Sequence, residues 1–131
     1  MSIRRIMPDI HVESGEALTA NRAFYGLLGF EEVMRLPTGG DAGTTGAWVM
    51  TMASPSNPTA QVSFLTHDAT APVIPDLSVE VEDVDAVYEE VRASGAEIVH
   101  SLRDEEWGVR RFFVRDPEGR VVNVLGHQHQ Q

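Results

Sequence analysis

The sequence predicts an α+β fold: tandem βαβββ modules forming a cupped eight-stranded mixed sheet with the helices outside. Three observations predict it. Two stretches carry the apolar period of an amphipathic helix. Short runs rich in β-branched and aromatic residues surround them in the order β-α-β-β-β, twice over. The halves also resemble each other: "FYGLLGFEEV" and "VYEEVRASGAEIV" each run from a helical aromatic through a glycine stop into a strand that opens with an acid. A repeat of about sixty residues describes the architecture of the whole chain.

Each element has a local cause. Residues 3–12 read as the first strand. Helix one follows, with Ser14 as its N-cap, Gly29 as its stop and Ala17, Ala20, Phe24, Leu27 and Leu28 as its apolar stripe. Strand-like runs at 30–36, 47–53 and 60–66 are separated by "PTGGDAGTTG" and "SPSNP", both turn chemistry. After a further strand at 76–81, helix two places Val84, Val87, Tyr88 and Val91 on one face, capped by Asp83 and ended by Gly95. Runs at 97–102, 109–115 and 120–125 close the chain. "DPEG", Asp116 to Gly119, is a tight turn with proline second, so the last two runs make a hairpin. The expected organisation is one domain, 1–131: module one at 1–66, linker 67–74, module two at 75–126 and a tail at 127–131.

Composition narrows the function. With 131 residues the chain can build one real core, and its 42% apolar and 23% charged residues are those of an ordinary globular protein. Ten basic against twenty acidic residues, a formal charge of −10, argue against a nucleic-acid partner and suit a cationic ligand. No apolar run is long enough to span a bilayer, and Pro8 and Asp9 interrupt any signal-peptide core, so no membrane role and a cytoplasmic location are expected. Zero cysteines exclude disulfides, thiolate metal sites and cysteine nucleophiles. No phosphate loop, nucleophile elbow or dinucleotide fingerprint is present.

One residue breaks the pattern. "RVVNVLG" is apolar between Arg120 and Gly126 except at Asn123. A buried amide needs partners or costs about 1–3 kcal/mol, so Asn123 faces water, is satisfied by neighbours, or points into a cavity that binds something. Two sheets side by side, helices outside, would leave such a cavity as a cup.

With the tandem order, the "FYGLLGFE" junction and "FVRDPEGRVVNVLG" in hand, the sequence resembles the vicinal oxygen chelate superfamily, which includes glyoxalase I, bleomycin resistance proteins and extradiol dioxygenases. The resemblance covers nearly the whole chain and implies the glyoxalase/bleomycin resistance protein fold. It also implies a divalent-metal site whose ligands, usually His or Glu, come from the first and last strands of each module. The matching positions here are Met7, Phe64, Asp76 and Asn123. One carboxylate beside a thioether, a phenyl ring and an amide makes a poor metal site, so no metal and no cofactor are expected. A set displaced along the strands, His11, Glu80 and Asn123, is the alternative. His100 reads as a surface strand residue, and His127 and His129 as tail.

Without a metal, aromatic and polar anchors would hold a ligand. Trp48, Met50 and Met52 share one strand face, which lines the cup or packs beneath the first helix. Trp107, in a "WG-x-R" stretch like that of bleomycin-resistance-like members, is placed at the mouth. Arg111 could meet an anionic group or lie in solvent. Of Phe112 and Phe113, one faces the core and the other the cup. The glycine-rich segment 37–46 reads as a lid or as plain loop. The resulting expectation is a metal-independent binding protein for an aromatic or cationic small molecule, of the antibiotic-resistance type. It is not expected to be an enzyme, and it should pair as a homodimer to cover its sheet edges. The alternative is a metal-dependent lyase, isomerase or dioxygenase.

Overall fold

A computed structural model of the chain describes residues 2–37, 48–66, 73–105 and 108–127. Most of the glycine-rich segment, most of the linker with His67, Trp107, and the tail with His129 lie outside these residues. Strands and helices follow in the order β1 (Ile3–His11), α1 (Gly15–Leu27), β2 (Glu31–Pro37), β3 (Trp48–Ala53), β4 (Gln61–Leu65), β5 (Leu77–Val81), α2 (Val84–Ala93), β6 (Ile98–Asp104), β7 (Val109–Arg115) and β8 (Val121–His127). This is the tandem βαβββ order, with mixed parallel and antiparallel pairing, and it places the chain in the expected α+β class.

The chain forms two compact units, Met7–Ile74 and a second made of Met1–Ile6 with Pro75–Gln131. The start of β1 therefore groups with the second module, where Glu82 N–H donates to Ser2 C=O at 3.0 Å.

In the N-terminal unit the strand order is β2-β3-β4-β1. β2, β3 and β4 pair antiparallel, and β1 joins β4 in parallel, with Ile10 opposite Phe64. Ser14 caps α1 by accepting from Ala17 N–H at 3.3 Å. Gly29, at φ 109°, makes the left-handed exit that a side chain would resist. Beneath the helix lie Val12, Leu18, Met50, Met52, Val62 and Phe64, with Tyr25, Phe30 and Trp48 packed at the margin. Tyr25 anchors the layer, its ring 5.0 Å from Phe64 and 6.1 Å from Phe30.

The stripe expected for α1 is not the one it buries. Leu18, Ala17 and Tyr25 meet the sheet, whereas Phe24, Leu27 and Leu28 are exposed. The helix is apolar on two sides, and its phase is set by the Tyr25 ring docking on Phe64.

In the C-terminal unit β5, β8, β7 and β6 are successive neighbours, β5 and β8 parallel and the rest antiparallel. Asp83 caps α2 from Ala86 N–H at 3.1 Å, and Asp85 and Arg92 complement the helix dipole at its two ends. Val84, Val87, Tyr88 and Val91 meet Val81, Phe112, Val114 and Val124, as the period predicts. The β7–β8 turn is a type I turn closed by a left-handed glycine. Gly119 N–H donates to Asp116 C=O at 3.0 Å, and the Asp116 carboxylate accepts from the Glu118 and Arg120 amides at 2.9 Å each. Partial desolvation pushes the Asp116 carboxyl up, but the Arg120 amide and guanidinium and the Glu118 amide together hold it below its ordinary range.

Candidate functional site

Strand alternation gives each unit a second sheet face, turned away from its helix. In the N-terminal unit this face carries Met7, Thr51 and Ser63. Thr51 and Ser63 hydroxyls lie 2.9 Å apart, and Ser63 Oγ donates to Met7 Sδ at 3.1 Å. All three are buried.

Ser63, not Phe64, thus shares a face with Met7. Phe64 is fully buried against Tyr25 on the α1 side, and Met50, also fully buried, packs with it. A one-residue change of position on a strand exchanges its faces. The expectations that Phe64 and Met50 touch ligand are corrected accordingly: both belong to the core. Trp48 packs against the same core. His11 lies exposed at the end of β1, its Nε2 3.2 Å from Thr66 C=O.

In the C-terminal unit the face away from α2 is far more polar. The register sets Ser78 opposite Asn123, Asn123 opposite Phe113, and Phe113 opposite His100. One row across four strands therefore reads Ser, Asn, Phe, His. Asn123 is 8% exposed, and its Nδ2 donates to Ser78 Oγ at 3.0 Å. Its Oδ1 is buried with no hydrogen-bond partner among the described residues.

The next row holds Glu80, Leu125, Arg111 and Arg103. Arg111 is buried, donates from Nε to Glu105 at 3.2 Å, and lies 4.9 Å over the Phe113 ring. Glu105 is more buried still and also has Arg103 at 3.5 Å and His100 Nε2 at 3.6 Å. His100 is thus not a surface residue. Its ring stacks 5.1 Å from Phe113. Phe112 takes the other side and packs 4.8 Å from Tyr88. Sequence reasoning missed Glu105 altogether, because "DEEWG" gives one acid no distinction from the next.

Glu80 is engaged by Arg5 at 2.5 Å, by Arg4 at 3.7 Å and by His127 at 3.5 Å. His127 ends β8 instead of lying in a tail. Asp76, just before β5, accepts from Val121 N–H at 2.9 Å and donates its own N–H to Val121 C=O at 2.8 Å. Its carboxylate clamps the start of β8.

These side chains do not suit a divalent metal. Met7 and Ser63 are hydrogen-bonded to each other, Asp76 holds a strand amide, and Asn123 offers a neutral oxygen. Of the displaced set, Glu80 is already neutralised by arginine. Among the described residues no three His, Cys, Asp or Glu side chains gather where they could hold one ion. Trp107 lies outside the described residues.

A tandem βαβββ chain with a polar, partly unsatisfied sheet face is the kind of scaffold on which small-molecule sites are built. The family model described as "Glyoxalase/Bleomycin resistance protein/Dioxygenase superfamily" matches residues 16–124, and the chain belongs to that superfamily. Solved structures agree on the fold. Methylmalonyl-CoA epimerase from Mycobacterium tuberculosis superposes with a TM-score of 0.72 at 19% identity, covering 97% of this chain and 90% of that one. The Streptomyces coelicolor methylmalonyl-CoA epimerase in complex with 2-nitronate-propionyl-CoA gives 0.69 at 16% identity, over 98% and 100%. A superfamily member from Vibrio splendidus gives 0.60 at 16% identity, over 95% and 99%. None of the curated proteins compared matches the chain.

Proposed function

We propose that this protein is a metal-independent small-molecule-binding member of its superfamily, acting as a homodimer in the cytoplasm and sequestering an aromatic or cationic ligand in the manner of a resistance protein. The single observation that carries the reading is the unpartnered Oδ1 of Asn123, buried on the polar face of the C-terminal unit. A buried acceptor without a donor is a standing cost, and a ligand N–H or O–H removes it. A cationic amine supplies such a donor, and a chain of formal charge −10 favours its approach. Asn123 remains in the proposed site, on the polar face of the C-terminal unit, with Asp76 just before β5 of the same unit. Arg111 positions Phe113 from its pair with Glu105.

The test is thermal denaturation with two sets of additives. Planar aromatic amines should raise the Tm, since a ligand that binds only the native state stabilises it by about 2.7 kcal/mol at a hundredfold excess over Kd. Zinc, nickel, manganese and iron should leave it unchanged, and the purified protein should carry no stoichiometric metal. One equivalent of bound metal, lost on His11→Ala or Glu80→Ala, would overturn the reading in favour of a metal-dependent lyase, isomerase or dioxygenase.

A further inference from the structure

The Asn123 amide sits among neighbours that give it very little to bond with. On β8 the residues two places away on the same face, Val121 and Leu125, are buried and apolar. Across β7 it faces Phe113, whose ring packs against Arg111 and His100. Across β5 it faces Ser78, itself buried. The acids two residues to either side of Ser78 are committed elsewhere, Asp76 to the Val121 amide and Glu80 to Arg5. Among the described residues, the Ser78 hydroxyl at 3.0 Å is the polar group that holds the amide.

A primary amide has two unlike ends, and its partner decides which of them is left over. Here Nδ2 donates to Ser78 Oγ, and Oδ1 is the end without a partner. Turned over, the same amide would exchange one unmet oxygen for unmet N–H groups. As for backbone groups, a buried N–H without an acceptor is the rarer case. The hydroxyl therefore keeps the NH2 end. Register alone brings it there, because Ser78 and Asn123 are paired residues of the parallel β5–β8 ladder.

We infer that Ser78 is the positioning residue that sets the specificity of this site, fixing the Asn123 amide so that a ligand must bring a hydrogen-bond donor to it. The inference rests on the ligand-binding role proposed for Asn123 and names the residue that gives that role its direction. An isostere that places an ether or carbonyl oxygen beside Oδ1 sets lone pair against lone pair and is rejected. Ser78 acts through the amide and not on the ligand. Its removal frees the amide to turn, which relaxes the choice between donor and acceptor ligands more than it changes affinity as such.

The test is calorimetric titration of two matched planar probes, indole and benzofuran, which differ by an N–H in place of a ring oxygen. Each is titrated into the full wild-type chain, Ser78→Ala and Ser78→Thr. Wild type should favour indole by about tenfold or more in Kd, the factor that an unmet buried acceptor carries. In Ser78→Ala that preference should fall to about threefold or less, and Ser78→Thr, which keeps the hydroxyl, should restore it. A second readout needs no ligand: in the NMR spectrum of labelled wild type, the Asn123 side-chain NH2 protons should show NOEs to the Ser78 β-protons. Wild type that binds neither indole nor any planar aromatic amine would overturn the ligand-binding role itself. Equal affinity of wild type for the two probes, a preference that Ser78→Ala leaves intact, or absence of the NOEs would overturn only the role of Ser78.

Discussion

Asn123 holds an acceptor out of water with no donor among the described residues, at a cost of about 1–3 kcal/mol, while its other end is satisfied by Ser78. Nearby, Glu105 and Arg111 are both nearly inaccessible, yet each is paired. These two cases predict opposite mutational behaviour. Glu105→Ala removes the buried carboxylate that faces Arg111, Arg103 and His100 and should lower stability by about 3–5 kcal/mol, whereas Glu105→Leu with Arg111→Met should recover most of it. Urea denaturation of the three proteins decides the point, and a mild single mutant with a worse double mutant would contradict the pairing. Sequence reasoning identified Asn123 because an amide stands out among valines. It could not see Glu105, whose role exists only once β6 and β7 are paired. Phe64 failed for a different reason: alternation says that neighbours face opposite sides, not which of them faces the helix.

At the level of elements, capping residues and periods were legible and the phase of α1 was not. Ser14, Gly29, Asp83 and Gly95 act locally, and all four do in the structure what their chemistry predicts. α2 has one apolar side and one answer. α1 has two, and only tertiary contact between Tyr25 and Phe64 chooses between them. The β7–β8 hairpin gives a pH prediction at this scale. Its Asp116 carboxyl is held below the ordinary value, so the folded turn favours the ionised form. The stabilisation is present above the unfolded carboxyl value and is lost as pH falls through the lowered folded value. Asp116→Asn should therefore flatten the acid limb of the stability curve. An acid limb identical to that of wild type would contradict the role given to the turn.

For the whole molecule, the tandem order, the fold class and the superfamily were readable because they depend on patterns repeated along the chain. The ligand was not, since a fold of this kind carries many chemistries and the site residues come from distant strands. The proposed function turns on Asn123, an amide buried on the polar face of the C-terminal unit. The most direct test is calorimetric titration of a planar aromatic amine, in the presence of EDTA, into wild type and Asn123→Leu. The account predicts binding that EDTA does not weaken and that Asn123→Leu weakens about tenfold or more, about 1.4 kcal/mol. The same substitution should leave folding stability equal or higher, because it removes the orphaned acceptor. Binding abolished by EDTA, or unchanged in Asn123→Leu, would contradict it.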